Sequence, residues 1–343
     1  MRNDSGKRFA TVLISLFLLT SIAFYLHITN GSFEMPIKEV LKTFLRIDPN
    51  EQHDLVIFEF RLPRIVIAMV VGIGIGVAGV VLQGVTRNEL ADPGILGINA
   101  GAGAAIVIFM FFFQIAFQSL ELHSWASIMI MPLFGFVGGT LAAAIIFIIS
   151  RKNGRMDMSR LILTGIAINS GFGALSMYIS LKMNPQDFEM ASVWMAGSIY
   201  SANWVYVWTM LPWVILFSII IYRTAYLLDY FQLEEDSIKG LGIAVEKQKK
   251  WLLLASVGLI SACVSVSGSI GFIGLMAPHI ARQLVGIHHR FVIPASAAVG
   301  MFLLVISDFI GKTIFAPSEL AVGVVVSIIG IPYFLYLLVK SKR

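Results

Sequence analysis

The stretch RIVIAMVVGIGIGVAGVVLQGVTRNELADPGILGINAG, residues 64–101, decides the fold. Residues 64–86 are almost entirely apolar and long enough to cross a hydrocarbon core of about 30 Å as a helix. Charged residues then appear at Arg87, Glu89 and Asp92, and Pro93 follows before a second apolar run begins. This pattern predicts two membrane helices joined by a short polar hairpin.

The same alternation continues along the chain. Of its 343 residues, 57% are hydrophobic and only 13% are charged, whereas soluble domains carry about 25% charged residues. We therefore expect an all-α, polytopic membrane protein that forms one transmembrane domain over residues 1–343, with about ten helices and both termini cytoplasmic. The predicted spans are residues 9–28, 64–86, 94–117, 125–150, 160–181, 204–222, 251–268, 271–286, 292–312 and 318–339.

The distribution of basic residues assigns the sides of the membrane. With these spans, 18 of the 25 Lys and Arg residues fall on the inner side and 7 on the outer side, as the positive-inside rule requires. The net charge of +5 thus reflects membrane topology, and no nucleic acid partner is expected. Two outer segments, residues 30–62 and 183–203, are long enough to fold on the surface. The largest inner loop is 223–250.

Several motifs are excluded as catalytic or nucleotide sites. The glycines of residues 72–79 lie inside an apolar span with no preceding strand, so they do not form a dinucleotide fingerprint. Gly311-Lys312-Thr313 lacks the glycine that a phosphate-binding loop needs five positions earlier, since position 306 is Ile. Six scattered histidines and the single Cys263 offer no metal or acid–base constellation. We therefore expect that the protein is not an enzyme and has no cofactor and no metal site. If ATP drives transport, the ATPase must be another polypeptide.

Polar groups within the spans are few. Asp308 and His279 are ionisable, and each is interpreted either as a capping or snorkelling group near a span end or as part of a proton relay. Gln83 and Asn99 favour hydrogen bonds between helices over contact with a substrate. This scarcity argues against an ion-coupled secondary carrier.

The hairpin also carries a family resemblance. Asp92 suits an N-cap and Pro93 a first helical position. Residues 79–103 resemble the signature of the iron-siderophore and vitamin B12 permeases of ABC importers, Q-G-x-x-x-N-P-L-A-D/E-P-G-x-L-G. Glu89 replaces the usual proline. The signature residues that match include Gln83, Asn88, Asp92, Pro93, Gly94 and Gly97.

Further blocks extend the resemblance over nearly the whole chain. They are Arg61-Leu62-Pro63-Arg64, Trp194-Met195-x-Gly197-Ser198, and the segment 268–282 that contains Pro278 and His279. The resemblance implies a vitamin B12 permease-like fold in the bacterial cytoplasmic membrane. It also implies alternating access driven by two copies of an ATP-binding subunit and fed by a substrate-binding lipoprotein or periplasmic-type binding protein. A second permease, either the same chain or a related one, would complete the pathway.

The resemblance further implies a substrate class and two docking sites. Ferric-siderophore is the expected substrate, with vitamin B12 or haem as the alternative. Arg61, Arg64 and Lys312 would meet the binding protein, or would simply anchor span ends among lipid headgroups. The inner loop would dock on the ATPase, or would be an ordinary solvated loop. The residues assigned to ATPase docking are Leu233, Glu235, Lys239, Gly240, Leu241 and Gly242. The glycine-rich spans two, three, seven and eight are expected to line the pathway.

Overall fold

The computed structural model describes residues 2–341 apart from Ser32, Glu34, 48–49, 113–123, 153–154, Glu234, Leu241 and Pro317. This described part is helical except for two paired strands of two residues each, β1 (Arg151–Lys152) and β2 (Arg155–Met156). The prediction of an all-helical protein is therefore confirmed.

The helices follow one another along the chain with short connections. Two irregular turns interrupt the α-helical pattern, a π-helical turn at Leu55–Arg61 and a 3₁₀ turn at Pro93–Leu96. The α-helices are α1 (Arg2–Thr29), α2 (Ile37–Phe44), α3 (Glu51–Asp54), α4 (Leu62–Thr86), α5 (Ile98–Phe112), α6 (Ser124–Ile149), α7 (Met158–Ser180), α8 (Pro185–Met195), α9 (Trp204–Arg223), α10 (Ala225–Tyr230), α11 (Glu235–Gly240), α12 (Val245–Ser267), α13 (Ile273–Val285), α14 (His289–Thr313) and α15 (Val322–Ser341).

Eight of the described helical runs are long and apolar enough to cross a membrane. They correspond to eight of the ten predicted spans. The span predicted at 94–117 is occupied by α5, which has 15 residues, and residues 113–117 lie outside the described part. The span predicted at 271–286 contains α13, whose 13 residues reach only about 20 Å at 1.5 Å per residue. Because a hydrocarbon core is about 30 Å thick, α13 alone does not cross it.

The segment between α12 and α13 explains why α13 is short. Gly268 and Phe272 both have positive φ, 67° and 62°, so the chain leaves helical geometry over residues 268–272. A left-handed conformation is uncommon for a bulky residue such as Phe272. The backbone of Gly330 in α15 leaves room for its side chain, since a Cβ on Gly330 would lie 2.6 Å from the Phe272 Cβ.

Backbone contact between α4 and α14 forms the centre of the bundle. A Cβ on Gly300 would overlap the carbonyl oxygen of Gly72, and the Ser296 hydroxyl donates a 2.9 Å hydrogen bond to the Gly76 carbonyl. In lipid, helices gain little from hydrophobic burial, so association depends on such close packing of small residues. The spacing Gly72-x-x-x-Gly76 therefore serves helix contact.

Burial divides the helices into inner and outer members. Within their most apolar windows, 83% of residues are buried in the run Glu51–Thr86, which contains α4, and also in α12. The corresponding share is 17% in both α1 and α7. Spans two and seven, which are expected to line the pathway, are thus largely covered within this chain. Their glycines and small residues face neighbouring helices of the same chain.

We expect the substitution Gly300→Ala to destabilise the protein. The added methyl group forces α14 away from Gly72, and overpacking of this kind costs about 1–3 kcal/mol. The thermal unfolding midpoint of purified protein in detergent measures the effect. Gly6→Ala is the matched control, because no atom lies within 4 Å of the position of its added Cβ. Equal midpoints for the two variants would contradict the assigned contact.

Candidate functional site

A buried charge cluster lies at the end of the bundle that the basic residues assign to the outside. Arg64 in α4 binds Asp308 in α14 with both arms of its guanidinium group: Nε lies 2.8 Å from Oδ2, and Nη2 lies 2.9 Å from Oδ1. Its third nitrogen, Nη1, donates to Glu319 Oε2 at 2.6 Å. Asp308 Oδ2 also lies 2.6 Å from His27 Nε2 in α1. Three spans and the loop before α15 are thus joined through one arginine and one carboxylate.

Arg61 is held differently. Its guanidinium group donates to the backbone carbonyls of Ile28 and Phe33, and the residue is only 5% exposed. Arg64 is also buried. Neither arginine extends freely among headgroups, so simple anchoring does not describe them. In this conformation both already have partners inside the chain.

Lys312 is the third predicted docking residue, and its environment differs from that of the arginines. It is half-buried, and no carboxylate among the described residues lies within the 4 Å of an ion pair. Its side chain runs past the backbone of Gly31 and borders an opening of about 470 Å³. Arg64 and Glu319 border the same opening, as does Tyr200, whose ring centroid lies 5.9 Å from the Arg64 guanidinium carbon. Lys312 is therefore a half-buried cation in an opening that Asp308 and Glu319 also border, without a direct ion pair among the described residues.

The sequence identified the three basic residues but not the carboxylate partners of Arg64, Asp308 and Glu319, nor the contact of His27 with Asp308. His27, Asp308 and Glu319 lie 37, 244 and 255 positions from Arg64 in the sequence, so only tertiary contact brings them together. The one available signal was Asp308, an ionised carboxyl group inside an apolar span. Such a group requires a partner because an unpaired buried charge is costly.

The signature hairpin at the opposite end forms a compact turn packed against α13. Asp92 is the N-cap of the 3₁₀ turn and accepts the Gly94 amide at 2.8 Å. Pro93 packs on Gly274, at the first turn of α13, so closely that a Cβ on Gly274 would overlap the proline ring. The predicted cap is confirmed, although α5 itself begins only at Ile98. Burial raises the pKa of the Asp92 carboxyl to about 6, against backbone hydrogen bonds that lower it.

The other signature residues stabilise the same turn. The Asn88 side chain accepts the Leu90 amide at 2.9 Å, and Gly97 has a φ of 64° that most other residues would avoid. The Gln83 amide lies 3.3–3.4 Å from the carbonyls of Ala91, Gly274 and Leu275, as expected for a residue that joins helices.

The block around Pro278 and His279 meets the hairpin from α13. Pro278 is buried inside α13. His279 lies 3.9 Å from Glu89, and Arg282 donates to the Gln83 side chain. These contacts favour a structural role for His279 over a proton relay.

The inner loop contains two short helices, α10 and α11. Leu233, between them, is 47% exposed, whereas Ile238 in α11 is fully buried. Gly240 ends α11, and Gly242 adopts a φ of 77°. Of the other predicted docking residues, Leu241 lies outside the described part, as do the side chains of Glu235 and Lys239.

This loop is fastened to the membrane helices at two points. Asp229 in α10 accepts two hydrogen bonds from His289, the first residue of α14: one from its backbone amide at 3.0 Å and one at its ring Nδ1 at 2.7 Å. Burial raises the pKa of Asp229, but the hydrogen bonds from His289 outweigh it, so the pKa is lowered and the carboxyl is ionised at neutral pH. Arg87 donates to the Leu233 carbonyl and joins the loop to the hairpin.

The described residues contain no group of three or more His, Cys, Asp or Glu side chains that could hold a metal ion.

Comparison with known proteins agrees with these features. The model of the FecCD transport family matches residues 19–340. The chain is 51% identical to the iron-uptake system permease protein FeuC of Bacillus subtilis, covering 98% of each chain. It is 44% identical to the iron(3+)-hydroxamate import system permease protein FhuG of the same organism, over the full length of both. A solved structure of an inward-facing metal-chelate type ABC transporter superposes with a TM-score of 0.81 at 27% identity, covering 96% of this chain and 99% of the other.

Proposed function

The chain belongs to the FecCD transport family, and on that premise we propose that it is the permease of an ABC importer that carries ferric siderophores across the bacterial cell membrane. The similarity along the whole length of two iron permeases is the observation that carries this proposal. Family membership implies a separate ATPase, a binding protein and a second permease. We propose two copies of the ATPase for each transporter.

The names of two relatives support the proposed substrate. One is an iron-uptake permease and another imports iron(3+)-hydroxamate, so a ferric siderophore is favoured over vitamin B12 or haem. The absence of a metal-binding cluster in the described residues suits a substrate in which the chelator, rather than the protein, holds the iron.

Uptake in cells tests this proposal directly. Cells with and without the gene receive ⁵⁵Fe bound to hydroxamate, catecholate or citrate chelators, with labelled vitamin B12 and haem in parallel. We expect deletion to abolish uptake of one ferric complex and the restored gene to recover it. Loss of vitamin B12 or haem uptake with iron uptake intact would replace the proposed substrate. No loss of any of these would contradict the proposed function.

We propose that the binding protein docks at the outer end and that Lys312 makes the direct contact. Lys312 is the half-buried cation without an ion pair, while Arg61 and Arg64 are buried and bonded within the chain. The arginines hold the ends of α1, α4 and α14 together. Complementary charge at such a surface raises the association rate and fixes the orientation of the partner.

Charge reversal separates these two roles. We expect Lys312→Glu to fold normally and to weaken docking of the binding protein by about tenfold, because an exposed attraction becomes a repulsion. Arg64→Glu should instead lose folded protein, since it places a third carboxylate beside Asp308 and Glu319. Docking to the transporter in nanodiscs and the yield of folded chain are the two measurements. Lys182→Glu, an exposed lysine on the predicted outer side, is the control. Normal docking by Lys312→Glu would contradict the assignment.

We propose that the inner loop docks on the ATPase and that α14 transmits its movement. The loop is bound to the first residue of α14 through Asp229 and His289, and the far end of α14 carries Asp308 and Lys312. Its 25 residues extend about 37 Å as a helix, which reaches from one end of the bundle to the other. Movement of the loop is thereby linked to the outer docking surface through one helix.

Removing the Asp229 contact should uncouple hydrolysis from transport. We expect Asp229→Ala to retain ATP hydrolysis but to move several-fold less substrate per ATP in proteoliposomes, because the loop no longer pulls on α14. Asp229→Asn, which keeps an acceptor oxygen, should restore part of the coupling. Gln232→Ala, an exposed position on the same loop, is the control. An unchanged transport-to-hydrolysis ratio in Asp229→Ala would overturn this role.

We further propose that α7 faces the second permease and the pathway. It has the lowest mean hydropathy of the eight candidate spans, 1.4, and is among the least buried. Its exposed residues include Asn169, Ser170, Gly171 and Gly173, a polar and small set that is unsuited to lipid. A helix of the second permease or a water-filled pathway supplies hydrogen-bond partners for these polar residues.

A further inference from the structure

The outer segment before Arg61 contains a helix with three distinct sides. On α2, Val40 and Thr43 face inward and are buried. Beside them lie apolar residues that are exposed, and the next side carries lysines. The exposed apolar residues on and just after the helix are Ile37, Leu41, Phe44, Leu45 and Ile47.

The buried side fixes the helix to the bundle. Val40 belongs to a small apolar cluster with Ile28 at the end of α1, Ile57 in the π-helical turn and Ile65 at the start of α4. Phe44 also contacts Phe58 edge to face, with ring centroids 5.6 Å apart. The orientation of α2 is therefore set by packing, and the exposure of its second side is a fixed feature of the fold.

The exposed side is too apolar to be left in water. Leu41 is 52% exposed and Leu45 is 66% exposed. A contiguous apolar surface of this kind marks an interaction site. It also adjoins α1, whose own exposed residues are of the lipid-facing type, among them Phe17, Leu18, Ile22 and Tyr25. The apolar side of α2 thus continues the lipid-facing surface of the first span.

The charges beside this surface indicate which partner it fits. Lys42 lies 3.6 Å from Glu39, and Arg46 binds Asp54. These two cations are paired within the chain, and the exposed Lys38 has no ion-pair partner among the described residues. An amphipathic helix with lysines flanking its apolar side is the form that lies in a membrane interface.

We infer that α2 is an interfacial helix whose exposed apolar side inserts among the lipids of the outer leaflet. The partner is the phospholipid bilayer itself. Its long lysine side chains extend toward the headgroups while Leu41 and Phe44 enter the upper acyl region. The cluster with Ile28, Ile57 and Ile65 joins α2 to the segment that leads to Arg61. The depth of α2 in the lipid therefore determines the position of that segment relative to the bilayer. This inference depends only on the chain spanning a membrane and holds for any substrate.

Site-directed spin labelling tests the inference on the assembled transporter. The chain has one cysteine, Cys263, which is buried, so Cys263→Ser gives a background for single labels. Leu41→Cys and Lys42→Cys are labelled separately and reconstituted in phosphatidylcholine vesicles. Power saturation with oxygen and with a soluble nickel complex then compares access from lipid and from water. We expect the ratio of oxygen to nickel access to be several-fold higher at position 41 than at position 42.

Two outcomes would overturn the inference. Equal access of the nickel complex to both labels would show that the surface faces water. Protection of position 41 that appears only after the binding protein is added would make this surface a protein docking site. Circular dichroism and residual transport of each labelled variant show whether it is folded, so a folding defect cannot be mistaken for either result.

Discussion

The close contact between the backbones of α4 and α14 is the constraint on which the rest of the structure depends. Gly72 lies against Gly300, and Gly76 accepts a hydrogen bond from Ser296, so no side chain separates the two helices there. Lipid tails and a helical partner are about equally apolar, so burial of apolar surface does not favour one over the other. Close packing of the two backbones is what favours the helical partner. The other described helices pack around this pair.

The two charge contacts at the ends of α14 depend on that central packing. At the outer end, Asp308 binds Arg64 with two hydrogen bonds and also contacts His27. At the inner end, His289 binds Asp229 of the inner loop. A bidentate arginine–carboxylate pair tolerates little displacement, so sliding of α14 against α4 would break it. The helix therefore responds to movement as a rigid element that connects the two proposed docking surfaces.

Much of the local structure could be predicted from the sequence. The hairpin at Arg87–Gly97 follows from an N-capping aspartate and a proline, and it folds as expected, with Gly97 at a positive φ. The predicted span at 271–286 lies close to the observed α13, but hydropathy did not show that Gly268 and Phe272 turn the chain out of helical geometry before it.

The sequence by itself determined that the chain is a membrane protein, where its apolar helices lie and which family signature it carries, because these follow from local hydropathy and residue spacing. Only the tertiary structure decided which helices are central and which charges meet. The mean hydropathy of α1 is 2.2 and that of α12 is 1.7, yet α12 is the buried one. Hydropathy measures how readily a side chain leaves water, and lipid and the protein interior satisfy that preference equally. The union of His27, Arg64 and Asp308 likewise required three helices to be packed before any of their charges could be paired.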